Sequence, residues 1–180
     1  MNNILLISEK LLKENTEISD NLYGSYLLPS IRTAQDLYLR PIIGQNLYNT
    51  ILEMVADGSI TAQTSVDYKT LLDDYIQPYL LERTVADLIP IVSAKVANLG
   101  TVLANDEHLV NLSVTDAEKL QTLHIQKADV YCRMLQEYLL NNASLYPELD
   151  ECACNTLQSN LRSAASTGLW LGGYFANPIR

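Results

Sequence analysis

Apolar positions recur along most of this chain at three- and four-residue intervals, the spacing of one helix face. From Pro29 to Leu39 the stripe is Ile31, Ala34 and Tyr38, with Leu37 beside it. Pro41 is expected to end this helix, because its ring pushes Arg40 out of the α region and removes a backbone donor. Gly44 then permits a turn with positive φ that Ile42 or Ile43 would resist. Leu47, Ile51, Leu52 and Val55 begin a second stripe over Gln45 to Ala56, closed by Asp57-Gly58-Ser59 with glycine at the usual C-terminal position. The pattern predicts a rigid helical corner with Ile42 and Ile43 at its tip.

Other segments read the same way. Ser8 caps a short helix to Glu14, a polar turn-prone stretch runs from Asn15 to Gly24, and Ile60 to Ser65 connects. Val66 to Val96 carries Leu71, Leu72, Tyr75, Ile76, Tyr79 and Leu80 on one stripe. Pro78 and Pro90 each delete a donor and clash one turn back, so two or three consecutive helical pieces are expected there. Asn98 to Ser113 is the least helical stretch, with apolar triplets either side of Asn105-Asp106-Glu107, and fits a β-hairpin or a long loop. Thr115-Asp116-Ala117-Glu118 is a capping box opening a helix to about Asn141. Its expected buried face is Leu120, Leu123, His124, Tyr131, Leu135 and Tyr138. Asn141-Asn142 and Tyr146-Pro147 stop it.

After residue 150 the character changes. Residues 1–151 hold 21 acids against 10 bases, whereas 152–180 hold no acid and only Arg162 and Arg180 as bases. The only Trp and the only Phe lie within Gly168 to Phe175, among glycines. Such a stretch is either a strap over the core or an arm that docks elsewhere. Trp170, Tyr174 and Phe175 favour the arm, since aromatic side chains supply large contact areas at interfaces. Eleven Tyr against one Phe point the same way, tyrosine suiting surfaces wet in one state and buried in another.

The pattern AQ-x-x-YL-x-P-I-I-G-x-x-LY-x-x-I, from Ala34 to Ile51, resembles head–tail connector (adaptor, or ring) proteins of tailed bacteriophages, most like those of crAss-like and other Bacteroides-type phages. Leu88-Ile89-Pro90 with Asn98-Leu99-Gly100, and Glu137 to Asn142 with Tyr146-Pro147-Glu148, follow in matching order, so the likeness spans roughly residues 25–150. The resemblance implies a virion protein of the neck, made in the host cytoplasm. It also implies a homo-oligomeric ring, dodecameric as a rule, between the portal protein and the next tail component. Double-stranded DNA would pass through its channel without specific binding.

Composition limits the alternatives. At 180 residues and 48% hydrophobic, one domain with a real core is expected. No apolar run nears the roughly 18 residues that span a membrane, and Met1 to Ile7 lacks the basic start of a signal peptide. A net charge of −9 argues against wrapping nucleic acid. Cys132, Cys152 and Cys154 form no disulfide framework. Cys152-Ala153-Cys154, with only His108 and His124 to complete a tetrahedron, is a poor match to zinc spacing. No phosphate loop, dinucleotide fingerprint, nucleophile elbow or zinc-protease motif occurs, and Asp73 and Asp74 point about 100° apart on a helix.

The expectation is an all-α fold: a compact helical connector-type core over 1–150, one small β-hairpin or long loop, and an extended C-terminal arm over 151–180. No catalytic residue, cofactor or metal site is assigned, and no membrane contact. Partner binding is assigned to Arg40, Ile42, Ile43, Trp170, Tyr174 and Phe175. The alternative is a cytosolic helical adaptor for a single protein, and a small acidic enzyme is a third class.

Overall fold

Ser8 opens the first helix, α1 (Glu9–Asn15), where its extended backbone lets the side-chain oxygen accept the Leu11 amide at 3.1 Å. The computed structural model describes residues 4–18, 22, 24–99 and 114–149, and all of its regular elements among these are helical. The fold class is all-α. Of the stretch Asn98 to Ser113, expected as a hairpin or long loop, Asn98 and Leu99 are helical instead, in the last turn of a long helix; the rest of it, 100–113, and the arm beyond residue 150 lie outside the described residues.

The expectations at the prolines are corrected. Helix α2 (Gly24–Thr33) starts five residues before Pro29, which sits inside it. Nor does Pro41 end the next stretch. The chain passes from α2 into a π segment (Ala34–Leu39) and on into α3 (Arg40–Ile43), with Arg40 itself right-handed helical at φ −53° and ψ −42°. The wider π turn explains this. The Arg40 amide reaches back five residues to the Gln35 carbonyl, so the backbone is already opened one turn before the pyrrolidine ring, where a regular turn would clash. The stop comes at Gly44, whose amide donates to the Arg40 carbonyl at 3.0 Å. Gly44 has φ 82° and ψ 159°, a region open essentially to glycine alone. Helix α4 (Gln45–Ala56) follows at once, capped by Asp57, and the chain turns away at Gly58, which has φ 77°.

Short 3₁₀ turns lead into α5 (Val66–Thr70), a second π segment (Leu71–Ile76) and α6 (Gln77–Leu99). Pro78 repeats the solution at Pro41: the Gln77 amide bonds the Leu72 carbonyl five residues back. The same hexapeptide pattern, D-x-Y-[L/I]-x-P, stands at both places, Asp36 to Pro41 and Asp73 to Pro78. In each case its tyrosine ties the π segment to a neighbour. Arg83 of α6 lies over the Tyr38 ring at 3.7 Å, and Tyr75 stacks on Tyr138 at 4.0 Å. Pro90 does not break α6 either. Its absent N–H would have served the Ala86 carbonyl, and Gln121 from the facing helix supplies a side-chain amide there instead, at 3.1 Å.

Helix α7 (Val114–Asn141) begins one residue before the expected Thr115 cap. It runs antiparallel to α6, since Gln121 meets Ala86, His124 meets Glu82 and Tyr138 meets Tyr75. Its buried face is Ala117, His124, Ala128, Leu135 and Leu139, spaced as in a helix pair. Leu123, expected on that face, is 46% exposed instead. One position from His124, it is turned about 100° away from the seam. The core gathers around Leu27, Ile31, Leu39, Ile43, Leu47, Ile51, Leu71, Ile76 and Leu80, all fully buried.

Candidate functional site

The tip of the corner is smaller than the sequence suggests. Arg40 and Pro41 are exposed and Ile42 is half-buried, but Ile43 is 0% exposed. Residue 43 closes the last turn before Gly44, and that turn faces the core, so Ile43 leaves the partner-binding set. Trp170, Tyr174 and Phe175 lie outside the described residues.

A buried polar latch lies under this corner. Gln35 is 2% exposed, yet its side chain is fully used: Oε1 accepts the Leu6 amide at 2.9 Å, and Nε2 donates to Ile4 O and to the Tyr48 hydroxyl. The Tyr48 hydroxyl donates onward to Asp36 at 2.6 Å. Burial, and then Asp36 as acceptor, push the Tyr48 phenol up to about 12. The network fastens the N-terminal segment to the first π segment, a structural task.

A second tyrosine group closes the far end of the helix pair. Tyr68 donates to Glu148 at 2.7 Å, and the Tyr146 hydroxyl donates to the Asp67 carbonyl at 3.0 Å while meeting Tyr138 at 3.1 Å. Burial raises the phenols of Tyr68 and Tyr146, the former to about 12. These side chains are occupied within the chain, so the tyrosine excess is partly explained by internal hydrogen bonding.

An apolar cleft of about 290 Å³ opens at the other end of the α6–α7 pair. Val85, Leu88, Ile89 and Val92 of α6 form one wall, Leu120 and His124 of α7 another, and Ile18 and Leu22 the third. Glu17 stands at its edge. His124 is 3% exposed, with Nδ1 2.7 Å from Glu82 Oε2, and Lys127 Nζ lies 3.9 Å from the other oxygen. The imidazole is a paired core residue at the cleft wall. Among the described residues no three metal-binding side chains come together. Burial pushes the Cys132 thiol up to about 11, which keeps it protonated at neutral pH.

On the outside of α7 lies an apolar stripe with no partner among the described residues. Leu123, Val130 and Met134 are 46%, 53% and 45% exposed and recur at seven- and four-residue steps, on one side of the helix. Sequence reasoning missed this stripe, and also missed Gln121, Gln35 and Glu82. The four-three spacing of Ala117, Gln121, His124 and Ala128 could have placed Gln121 on the inner face. Nothing in the sequence paired it with the carbonyl opposite Pro90.

No helix among the described residues is long and apolar enough to cross a membrane. Neither a curated protein nor a solved structure matches the chain. The model of a family of unknown function, DUF6712, matches residues 39–159, from the end of the first π segment through the α6–α7 pair, and the chain belongs to that family.

Proposed function

We propose that this protein is a subunit of the ring that joins the portal to the tail in the neck of a tailed phage. The observation that carries the reading is the outer face of α7. Three large apolar side chains stand in line there, in a chain whose described core is closed without them. Neighbours in a ring would cover such a face, and a patch of this kind marks an interaction surface. The likeness of Ala34 to Ile51 to connector proteins supplies the kind of assembly. The role is mechanical. In this reading the α6–α7 pair and the corner form a wedge, the 100–113 stretch, hairpin or loop, would face a neighbour or the channel, and residues 151–180 would be the arm that locks the joint. In this reading the protein carries out no reaction, and DNA passes an acidic wall that does not retain it.

Negative-stain images of the protein mixed with its portal, and of the virion neck, test the proposal. A ring of this chain stacked on the portal is the expected result. A one-to-one complex with a single protein would replace the ring by an adaptor role, and absence from purified virions would reject both the neck and the virion.

A further inference from the structure

The cleft between α6, α7 and the Ile18–Leu22 region is an apolar receptor in an acidic body. We infer that its occupant is the aromatic segment Gly168 to Phe175 of the same chain. Composition selects this segment. Leu169, Trp170, Leu171, Tyr174 and Phe175 are its side chains of size, and it holds the only Trp and Phe of the protein. A cavity of about 290 Å³ walled by Val85, Leu88, Ile89 and Val92 accepts one large aromatic ring and excludes water from it. Glycines on both sides of the aromatics let the backbone come close to a wall.

Charge does not oppose this. Residues 152–180 carry two bases and no acid, Glu17 stands at the edge of the cleft, and Glu82 beside the His124 wall is already engaged by His124 and Lys127. Length agrees. From His124 to the end of α7 at Asn141 is about 26 Å at 1.5 Å per residue. The 21 residues from Leu149 to Trp170 span up to about 70 Å when extended, so the segment reaches back along α7 with slack. The inference concerns the free chain and stands whether or not the ring exists. Exchanged between neighbours, the same segment and cleft would form the locking contact of the ring.

Trp170, as the only tryptophan, reports on itself. In the free full-length protein its emission should be blue-shifted and shielded from acrylamide, and unchanged on dilution. Ile89→Glu with Val92→Glu, both on partly exposed wall positions, should move the emission to that of solvated tryptophan while the helical circular dichroism stays. In a second arm, a Trp170→Ala chain is titrated with a peptide of residues 166–178, whose tryptophan should shift to the blue on binding and fail to do so with the doubly substituted cleft. A solvated Trp170 in the unaltered protein overturns the inference. So does a shielded Trp170 that ignores the cleft substitutions, and so does shielding that vanishes on dilution, which would assign the cleft to the tail of a second copy. If the glutamates unfold the chain, the peptide titration against the Trp170→Ala chain decides: no blue shift overturns the inference.

Discussion

At the scale of single residues, two positions carry more than their size suggests. Gly44 holds φ 82° and ψ 159° between a helix end and a helix start. Any Cβ there is strained whatever the surrounding space, so Gly44→Val should lower stability by about 1–3 kcal/mol, read as a fall in melting temperature. An unchanged midpoint would mean that the corner rearranges freely. Gln121 is the other. Its amide stands in for the N–H that Pro90 lacks at the Ala86 carbonyl, and Ala86 is 0% exposed. Gln121→Met should cost about 1–3 kcal/mol by leaving that carbonyl unpaired. In a Pro90→Ala background the backbone N–H restored at position 90 can serve the carbonyl, and the same Gln121 substitution should then cost clearly less. Chemical denaturation of the four proteins closes the cycle, and additive values would show that the two residues do not share the carbonyl.

At the scale of elements, helices are legible where periodicity and caps agree. Ser8, the Gln45 to Ala56 stripe, its Gly58 end and the α7 span can be read from sequence, because each is fixed by contacts within a turn or two. Local rules misread the proline sites, since they count a missing donor as a break, while here π turns and a side chain from another helix supply the remedy. The candidate site is less legible still. Arg40 and Ile42 do stand at or near the surface and Ile43 does not, because which side of a four-residue turn faces the core depends on how it packs against α4 and the first π segment. The cleft is assembled from residues far apart in the chain and leaves no local trace. The α6–α7 seam gives a prediction at this scale. Ala128 is 1% exposed there, small enough for the helices to approach closely. Ala128→Leu should overpack the seam and cost about 1–3 kcal/mol, with melting as the measurement. A neutral result would place slack at the crossing.

At the scale of the whole molecule, buried phenols tie stability to alkaline pH. The folded values of Tyr48 and Tyr68 are raised from 10.0 to about 12, and burial also raises those of Tyr79 and Tyr146. A raised folded value means that the native state keeps protons the unfolded chain has lost. The stabilisation is therefore complete below pH 10 and is lost as pH climbs through the folded values. Unfolding free energy should begin to fall from about pH 9, through the Cys132 thiol raised from 9.0, and more steeply above pH 10. Tyrosinate absorbance should appear in two stages, with a late fraction that emerges together with loss of helix. Tyr48→Phe should remove part of that slope, and an unaltered alkaline curve would refute the assignment.

The paired π turns carry a consequence for how this family varies. A bond that reaches back five residues encloses one residue more than an ordinary turn, so each D-x-Y-[L/I]-x-P stretch holds a single surplus residue that opens the backbone just before its proline. Surplus and proline should then be inherited together. Relatives that have lost the proline are the ones free to shed one residue from the turn before it, and relatives one residue shorter there should not keep the proline.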